Sequence, residues 1–342
     1  VRVLKACDDS LLESYDLAMF DLDGVVYVSG AAIDGVPDRL RRVREAGVHL
    51  AFVTNNASRT PEKVAANLVK LGIEASPDDV VTSAQAAARV LRGRFGAGAR
   101  VLLLGGAGLE AALAAEDLVA VAEPVDVVAV VSGYGPEVLW KDIMRAATLV
   151  KGGLPYVASN TDMTIPTDYG LAPGHGLLVK AISDFAGVQP VVAGKPARPL
   201  LDETVRRVGG QRPLMIGDRL DTDIEGARVV EVDSLLVMTG VTHLPELVAA
   251  TPELRPTYVA ADMEGLFEPH PVPDTGDDGA VGLGGWTARV VGGRLEVEGD
   301  GGMSDFWRVV AVAGWAHLDE TGEAASVDGV SVPEGSRAGE HG

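Results

Sequence analysis

The sequence predicts an α/β fold with a parallel sheet, and three observations lead there. Short apolar runs, each the length of one buried strand, recur at 17–20, 49–53, 213–216, 235–238 and 258–260. Between them lie helical patterns, several opened by proline and closed by glycine. Several runs end in polar clusters, as strands do where open α/β sheets bind ligands at their carboxyl ends.

Residues 1–15 read as a short helix or extension leading into the first strand. That strand ends in Phe20-Asp21-Leu22-Asp23-Gly24, two carboxylates one residue apart and then a glycine. Taken alone, this is no more than a strand and an Asp-Gly turn. Residues 25–34 suit a small hairpin flap turning at Ser29-Gly30. A helix over 37–46 puts Val36, Leu40 and Val43 on one side, while Arg39-Leu40-Arg41-Arg42 reads as a solvated face. The next strand, 49–53, runs into Thr54-Asn55-Asn56-Ala57-Ser58, and Pro61 starts another helix. About thirty residues separate the two polar strand ends, room for one β-α-β unit and no inserted domain.

From Ala84 the composition turns to Ala, Gly and Val, with strand patterns at 100–104, 125–132 and 156–160. Gly105-Gly106-Ala107-Gly108 has half a dinucleotide fingerprint but lacks its full spacing, so a plain strand-to-helix turn is preferred. Pro173-Gly174-His175-Gly176 enters an apolar helix over 177–185. Lys195 lies on a restricted loop, Gly194-Lys195-Pro196, before a helix over 199–208. The strand 213–216 ends in a third cluster, Gly217-Asp218-Arg219-Leu220-Asp221-Thr222-Asp223. Residues 268–284, rich in Pro, Gly and Asp, read as a linker. Beyond it, 286–291 and 295–298 are strand-like, 306–315 suits helix or strand, and the tail from Gly322 is poor in core formers. So small a region is expected to pack on the main body or a second subunit, which leaves a homodimer open.

The 29 Lys and Arg against 49 Asp and Glu give a net charge of -20, a field that repels polyphosphate backbones and argues against nucleic acid. A small anionic substrate would then need a metal ion and local cations. One cysteine, Cys7, rules out an internal disulfide and a cysteine zinc cage. No signal-peptide pattern opens the sequence and no run has the length of a membrane span, so a cytoplasmic protein with no membrane partner is expected.

Asp21, Asp23, Thr54, Lys195, Asp218 and Asp223 all fall at or just beyond expected strand ends. Carboxylates gathered there repel one another unless a cation joins them. All-oxygen ligands favour Mg²⁺, and a Lys and a Thr hydroxyl suit phosphoryl oxygens. With no Ser-His-Asp or Cys-His arrangement in view, an aspartate is the best nucleophile candidate.

Phe20-Asp21-Leu22-Asp23-Gly24-Val25, Val53-Thr54-Asn55-Asn56, Gly194-Lys195-Pro196 and 217–223 resemble, in order, the four motifs of the haloacid dehalogenase (HAD) superfamily. More narrowly they resemble its NagD and p-nitrophenylphosphatase-like branch, over roughly residues 14–265. The resemblance implies a Rossmann-like core from 1–84 and 191–267, with an α/β cap of the C2 type over 85–190 inserted between the second and third motifs. The linker 268–284 and a small α+β extension, 285–342, would come after it. The implied activity is Mg²⁺-dependent hydrolysis of a small phosphorylated metabolite through an aspartyl-phosphate. Asp21 would be the nucleophile and a metal ligand. Asp23 would be the general acid and base, with its carbonyl on the metal. Thr54 and Lys195 would hold the phosphoryl oxygens, helped by amides near Asn55 and Asn56. Asp218 would ligate the metal, Asp223 would stand behind it, and Asp221 would face solvent. In the cap, Ser159-Asn160-Thr161-Asp162 and the loop from Tyr169 to His175 would form the lid, with Asn160, Asp162 and His175 as substrate-binding candidates.

The whole arrangement resembles the actinobacterial glycerol 3-phosphate phosphatases of glycerophospholipid metabolism, whose extra region resembles a truncated GNAT acetyltransferase. Glycerol 3-phosphate is therefore the preferred substrate. Phosphoglycolate, pyridoxal phosphate, nucleoside monophosphates and a broad nitrophenylphosphatase specificity are the alternatives, and a phosphate sensor is the non-enzyme one. No acetyl transfer is expected, because residues 285–342 lack a turn suited to a CoA pyrophosphate.

Overall fold

The computed structural model describes residues 4–167 and 170–333. The chain forms two compact units, one from residues 1–50 and 210–342 and one from residues 51–209.

In the first unit, parallel strands lie in the order Tyr258–Ala260, Asp233–Val237, Pro213–Gly217, Leu17–Phe20. Leu17–Phe20 is buried along its whole length, as its unbroken apolar run requires. The register of the sheet sets where the carboxylates emerge: Phe20 pairs with Ile216, so Asp21 and Asp218 leave the sheet at the same edge. The flap forms as expected: Tyr27–Val28 pairs with Ala31–Ala32 around Ser29 and Gly30, both at positive φ. Helix Val36–Glu45 buries Val36, Leu40 and Val43. Its arginines are more than a solvated face, because Arg39 and Arg42 both pair with Glu264 and Arg42 stacks 3.6 Å from the Phe267 ring.

The C-terminal extension packs on this same unit. Strands Asp274–Thr275, Val281–Leu283, Trp286–Val291 and Arg294–Gly299 form an antiparallel sheet, and Met303–Thr321 is a helix. Two of these strands fall inside the stretch expected to be linker. Its glycines and aspartates read as loop, yet Val281 is buried in the core. Gly292-Gly293 makes the two-residue turn between the long strands. One sheet face and the helix enclose Trp286, Ala288, Leu295, Phe306, Trp307, Val310 and Trp315, together with Leu247, Val248 and Val259 of the body. Trp315 Nε1 donates to the Leu247 carbonyl at 2.7 Å, and the Arg255 guanidinium, fully buried, forms two bonds to Asp319. Part of the tail joins this core through Ala325, Val327, Val330 and Val332.

The second unit holds a five-stranded parallel sheet in the order Val191–Val192, Tyr156–Ala158, Ala129–Ser132, Arg100–Leu104, Val119–Val121. Helices Ser83–Phe95, Ala107–Ala115, Trp140–Lys151, His175–Ala186 and Arg198–Val208 belong to it. Strand His49–Thr54 enters this unit, where Phe52, Val53 and Thr54 pair with Val80, Val81 and Thr82. The strand expected over 125–132 starts only at Ala129, since Asp126 takes a positive φ. Gly105 to Gly108 is the plain strand-to-helix turn, and a Cβ at Gly108 would sit 2.5 Å from the Ala57 carbonyl. Gly170–Pro173, within one expected lid segment, pairs with Thr164–Thr167, which lies between the two expected segments; Tyr169 lies outside the described residues. Among the described residues, no helix is long and apolar enough to cross a membrane.

Candidate active site

In the first unit, Asp21, Asp218 and Asp223 each bring a carboxylate oxygen within 4.8 Å of the others. Asp21 comes just after the strand end, its N–H donating to the Ile216 carbonyl at 2.9 Å. Asp218 and Asp223 come from the loop after Pro213–Gly217, where a wide helical turn, Leu220–Ile224, brings Asp223 back. One oxygen of Asp223 accepts the N–H groups of Asp218 (3.2 Å) and Arg219 (3.1 Å), so this carboxylate both joins the cluster and braces the loop. Asp23 is exposed, and its backbone bridges to Tyr27 of the flap. Asp221 faces solvent and pairs with Arg219.

Two glycines make room for Asp218. A Cβ on Gly240 would lie 2.0 Å from Asp218 Oδ2, and one on Gly24 2.3 Å from the same atom. Gly24 also turns at φ +85°, which other residues adopt reluctantly. The Val241 N–H donates to that oxygen at 2.6 Å, and Thr239 Oγ1 donates to the Gly24 carbonyl at 2.6 Å. Sequence reasoning missed Thr239, Gly240 and Val241. The signal was present, because they come after the apolar strand Asp233–Val237 as the other clusters come after theirs.

Three carboxylates this close repel by about 3 kcal/mol per pair at an effective dielectric near 20. Asp218 and Asp223 are fully buried, so water screens them little. A hard divalent cation bound by oxygen offsets that repulsion, and the all-oxygen donor set fits one.

In the second unit, the remaining expected residues gather around Asn55. Its Oδ1 accepts the Lys195 N–H (2.8 Å), and its Nδ2 donates to the Lys195 carbonyl (3.0 Å) and to Asp162 Oδ1 (3.0 Å). Lys195 is 1% exposed, its ammonium donating to the Val53 carbonyl at 3.3 Å, and its bond to Pro196 is cis. Thr54 Oγ1 accepts the Asn56 N–H, and Asn56 Oδ1 accepts from Ser58 N and Oγ. Asn160 Nδ2 donates to the Asn55 carbonyl. His175 is buried with both ring nitrogens engaged, one with the Asn160 carbonyl and one with Ser132 Oγ. Burial pushes its imidazole down to about 4, against a weaker upward pull from the Asn160 carbonyl. The hydroxyls of Ser83 and Ser132 had no signal in the sequence.

A family profile described as haloacid dehalogenase-like hydrolase matches residues 18–119, and a HAD-hydrolase-like profile matches residues 192–266. The chain is 40% identical over 297 residues to D-glycerol 3-phosphate phosphatase of Mycobacterium tuberculosis, covering 86% of this chain and 82% of that one. It is 34% identical to an acid sugar phosphatase of Staphylococcus saprophyticus, over 75% of this chain and 98% of the relative. A crystal structure of glycerol phosphate phosphatase from Mycobacterium tuberculosis, in complex with magnesium, superposes with a TM-score of 0.81 at 39% identity, covering 90% of this chain and 92% of that one. The 4-nitrophenylphosphatase of Thermotoga maritima gives a TM-score of 0.69 at 28% identity, over 75% of this chain and 97% of its own.

Proposed function

The chain belongs to the haloacid dehalogenase-like hydrolases, and on that premise we propose that it is a Mg²⁺-dependent phosphatase of small phosphate monoesters, with glycerol 3-phosphate as its substrate. The observation that carries the reading is the carboxylate trio of Asp21 and Asp218, just beyond adjacent parallel strand ends, and Asp223, brought back to them by the following helical turn. The choice of glycerol 3-phosphate draws on the extension. The glycerol phosphate phosphatase match takes in 90% of this chain, more than residues 1–284 make up, whereas the nitrophenylphosphatase match takes in 75%.

Asp21 and Asp218 would hold Mg²⁺, with Asp223 contributing or bracing Asp218. Bound there, the ion supplies charge neutralisation for the phosphoryl oxygens. The Asp21 carboxylate attacks phosphorus, so that an Asp–O–P bond forms as the ester P–O bond breaks. Asp23 gives its proton to the departing alcohol, then takes one from the water that attacks the aspartyl-phosphate, which regenerates Asp21 and releases phosphate. The exposure of Asp23 suits proton exchange with substrate and water. Thr54 and Lys195 bind phosphoryl oxygens, and residues 85–190 act as the cap over the substrate. A cytoplasmic setting agrees with a single cysteine that forms no disulfide.

The test is phosphate release from a panel containing glycerol 3-phosphate, phosphoglycolate, pyridoxal phosphate and p-nitrophenyl phosphate, with Mg²⁺ and after chelation. Glycerol 3-phosphate should lead the panel, chelation should stop release and added Mg²⁺ should restore it. Asp21→Asn should be slower by at least 10³-fold, on the order of a lost nucleophile. Undiminished activity in Asp21→Asn would refute the assignment.

A further inference from the structure

Resting on the phosphatase reading and deepening it, we infer that Asn55 is a positioning residue for Lys195. A set of buried hydrogen bonds among Tyr156, Ser132, His175 and Asn160 holds Asn55 in place.

The Asn55 carboxamide carries two N–H donors and one carbonyl oxygen. Both donors are taken, one by the Lys195 carbonyl and one by Asp162 Oδ1, and the oxygen takes the Lys195 N–H. No donor remains to reach a substrate. Two of the three bonds go to the two peptide groups of Lys195 itself, which fixes that residue's backbone on both sides. Gly194 permits the approach, since a Cβ there would stand 2.5 Å from Asn55 Oδ1 and 2.6 Å from the Ser159 carbonyl. An ammonium on a four-carbon stem is otherwise a mobile charge. Here its root is clamped and its tip donates to the Val53 carbonyl.

The backbone of Asn55 is held in turn. Its carbonyl accepts from Ser83 Oγ at 2.6 Å and from Asn160 Nδ2 at 2.7 Å. The Asn160 carbonyl can only accept, so His175 Nδ1 carries the proton in their 2.9 Å bond. His175 Nε2 must then accept from Ser132 Oγ at 2.9 Å, and Ser132 Oγ from Tyr156 Oη at 2.8 Å. Donation thus runs one way from Tyr156 through Ser132 and His175 to the Asn160 carbonyl, and bonds aligned in this sense strengthen one another. That series fixes the Asn160 backbone, whose side chain then holds the Asn55 carbonyl, and the Asn55 side chain holds Lys195. The chain requires a neutral His175, in keeping with its buried site. Ser132, Tyr156, Asn160 and His175 all belong to the stretch proposed as cap. The cap therefore orders a phosphate-binding lysine in addition to covering the substrate.

The test is a double-mutant cycle on the full chain, with Asn55→Ala, Lys195→Ala and the double variant. Asn55→Ala should lower kcat/KM for p-nitrophenyl phosphate about 10²-fold, as for a misplaced reacting group, and weaken inhibition by inorganic phosphate. In the Lys195→Ala background the same change should cost less than about 3-fold, because the charge that Asn55 positions is already gone. Calorimetry with inorganic phosphate completes the cycle where turnover is too slow. Asn55→Ser, which keeps one acceptor, replaces Asn55→Ala if the latter does not fold. Equal losses in both backgrounds, or a lowered Tm with unchanged kcat/KM, would overturn the inference and leave the phosphatase reading standing. A wild type that hydrolyses no phosphate monoester would remove that reading, and this inference with it.

Discussion

Gly240→Ala asks whether the tightness around Asp218 matters to the chemistry. The added Cβ would stand 2.0 Å from Asp218 Oδ2, whereas real contacts stay beyond 3.0 Å, so the carboxylate must move by about 1 Å or more. Moving away from Gly240 also draws Oδ2 off the Val241 N–H, now 2.6 Å away, and so weakens the bond that holds that oxygen. A displacement of this size at a metal-binding carboxylate should lower kcat/KM about 10²-fold, or about 2.7 kcal/mol of barrier. The assay is steady-state hydrolysis of glycerol 3-phosphate across a Mg²⁺ titration, with Tm recorded beside it. The Mg²⁺ concentration for half-activation should rise. Gly93→Ala is the control, because Gly93 lies within helix Ser83–Phe95 with open space around its Cβ position. It should keep full activity and gain about 0.5–1 kcal/mol. If Gly240→Ala stays within 3-fold of wild type while still binding Mg²⁺ normally, the cradle has no part in positioning Asp218.

Two further predictions concern the first unit away from this cluster. His270 is buried, its Nε2 bonded to the Gly265 carbonyl and its Nδ1 facing the Arg308 guanidinium; burial first and that cation second push it down to about 4. Because the folded value lies below the unfolded one, the stabilisation is complete above about pH 6.5 and is lost as pH falls through 4, amounting to about 2 kcal/mol already lost at pH 5. Urea midpoints of wild type and His270→Gln should therefore converge between pH 7 and pH 5, and a constant gap would refute the assignment. Arg255→Met removes a buried guanidinium that bonds Asp319, the Ala250 carbonyl and the face of Trp315. It should cost about 3 kcal/mol and lower Tm by roughly 10 °C, with kcat/KM per folded molecule unchanged. A Tm within 2 °C of wild type would mean that this bond does not fasten the extension.

How much of the molecule was legible in the sequence depends on how far each interaction reaches along the chain. A buried parallel strand must be apolar along its length, so 17–20, 213–216 and 258–260 announce themselves. Polar residues cannot continue such a strand, so Asp21, Thr54 and Asp218 stand out at its end. Val119–Val121 did not, being an edge strand of three residues and none of them buried. The extension showed its two long strands. The strand holding Val281 was hidden by the glycines and aspartates on either side. At the candidate site, identities were readable and partners were not. Asn55 stands out because it adjoins Thr54 in a polar strand end. Its side chain reaches Lys195, 140 residues on, and no spacing rule spans that distance. His175 looked like a ligand because it sits among glycines at a helix entry, yet those glycines serve close backbone packing: a Cβ on Gly174 would meet the Asp162 carbonyl at 2.3 Å, and one on Gly176 the Thr161 carbonyl at 2.2 Å. The same residue types mark a ligand-binding loop and a tightly packed one. The side-chain polar atoms of Asn55 and His175 are bonded within the protein, to partners that no local sequence pattern reveals.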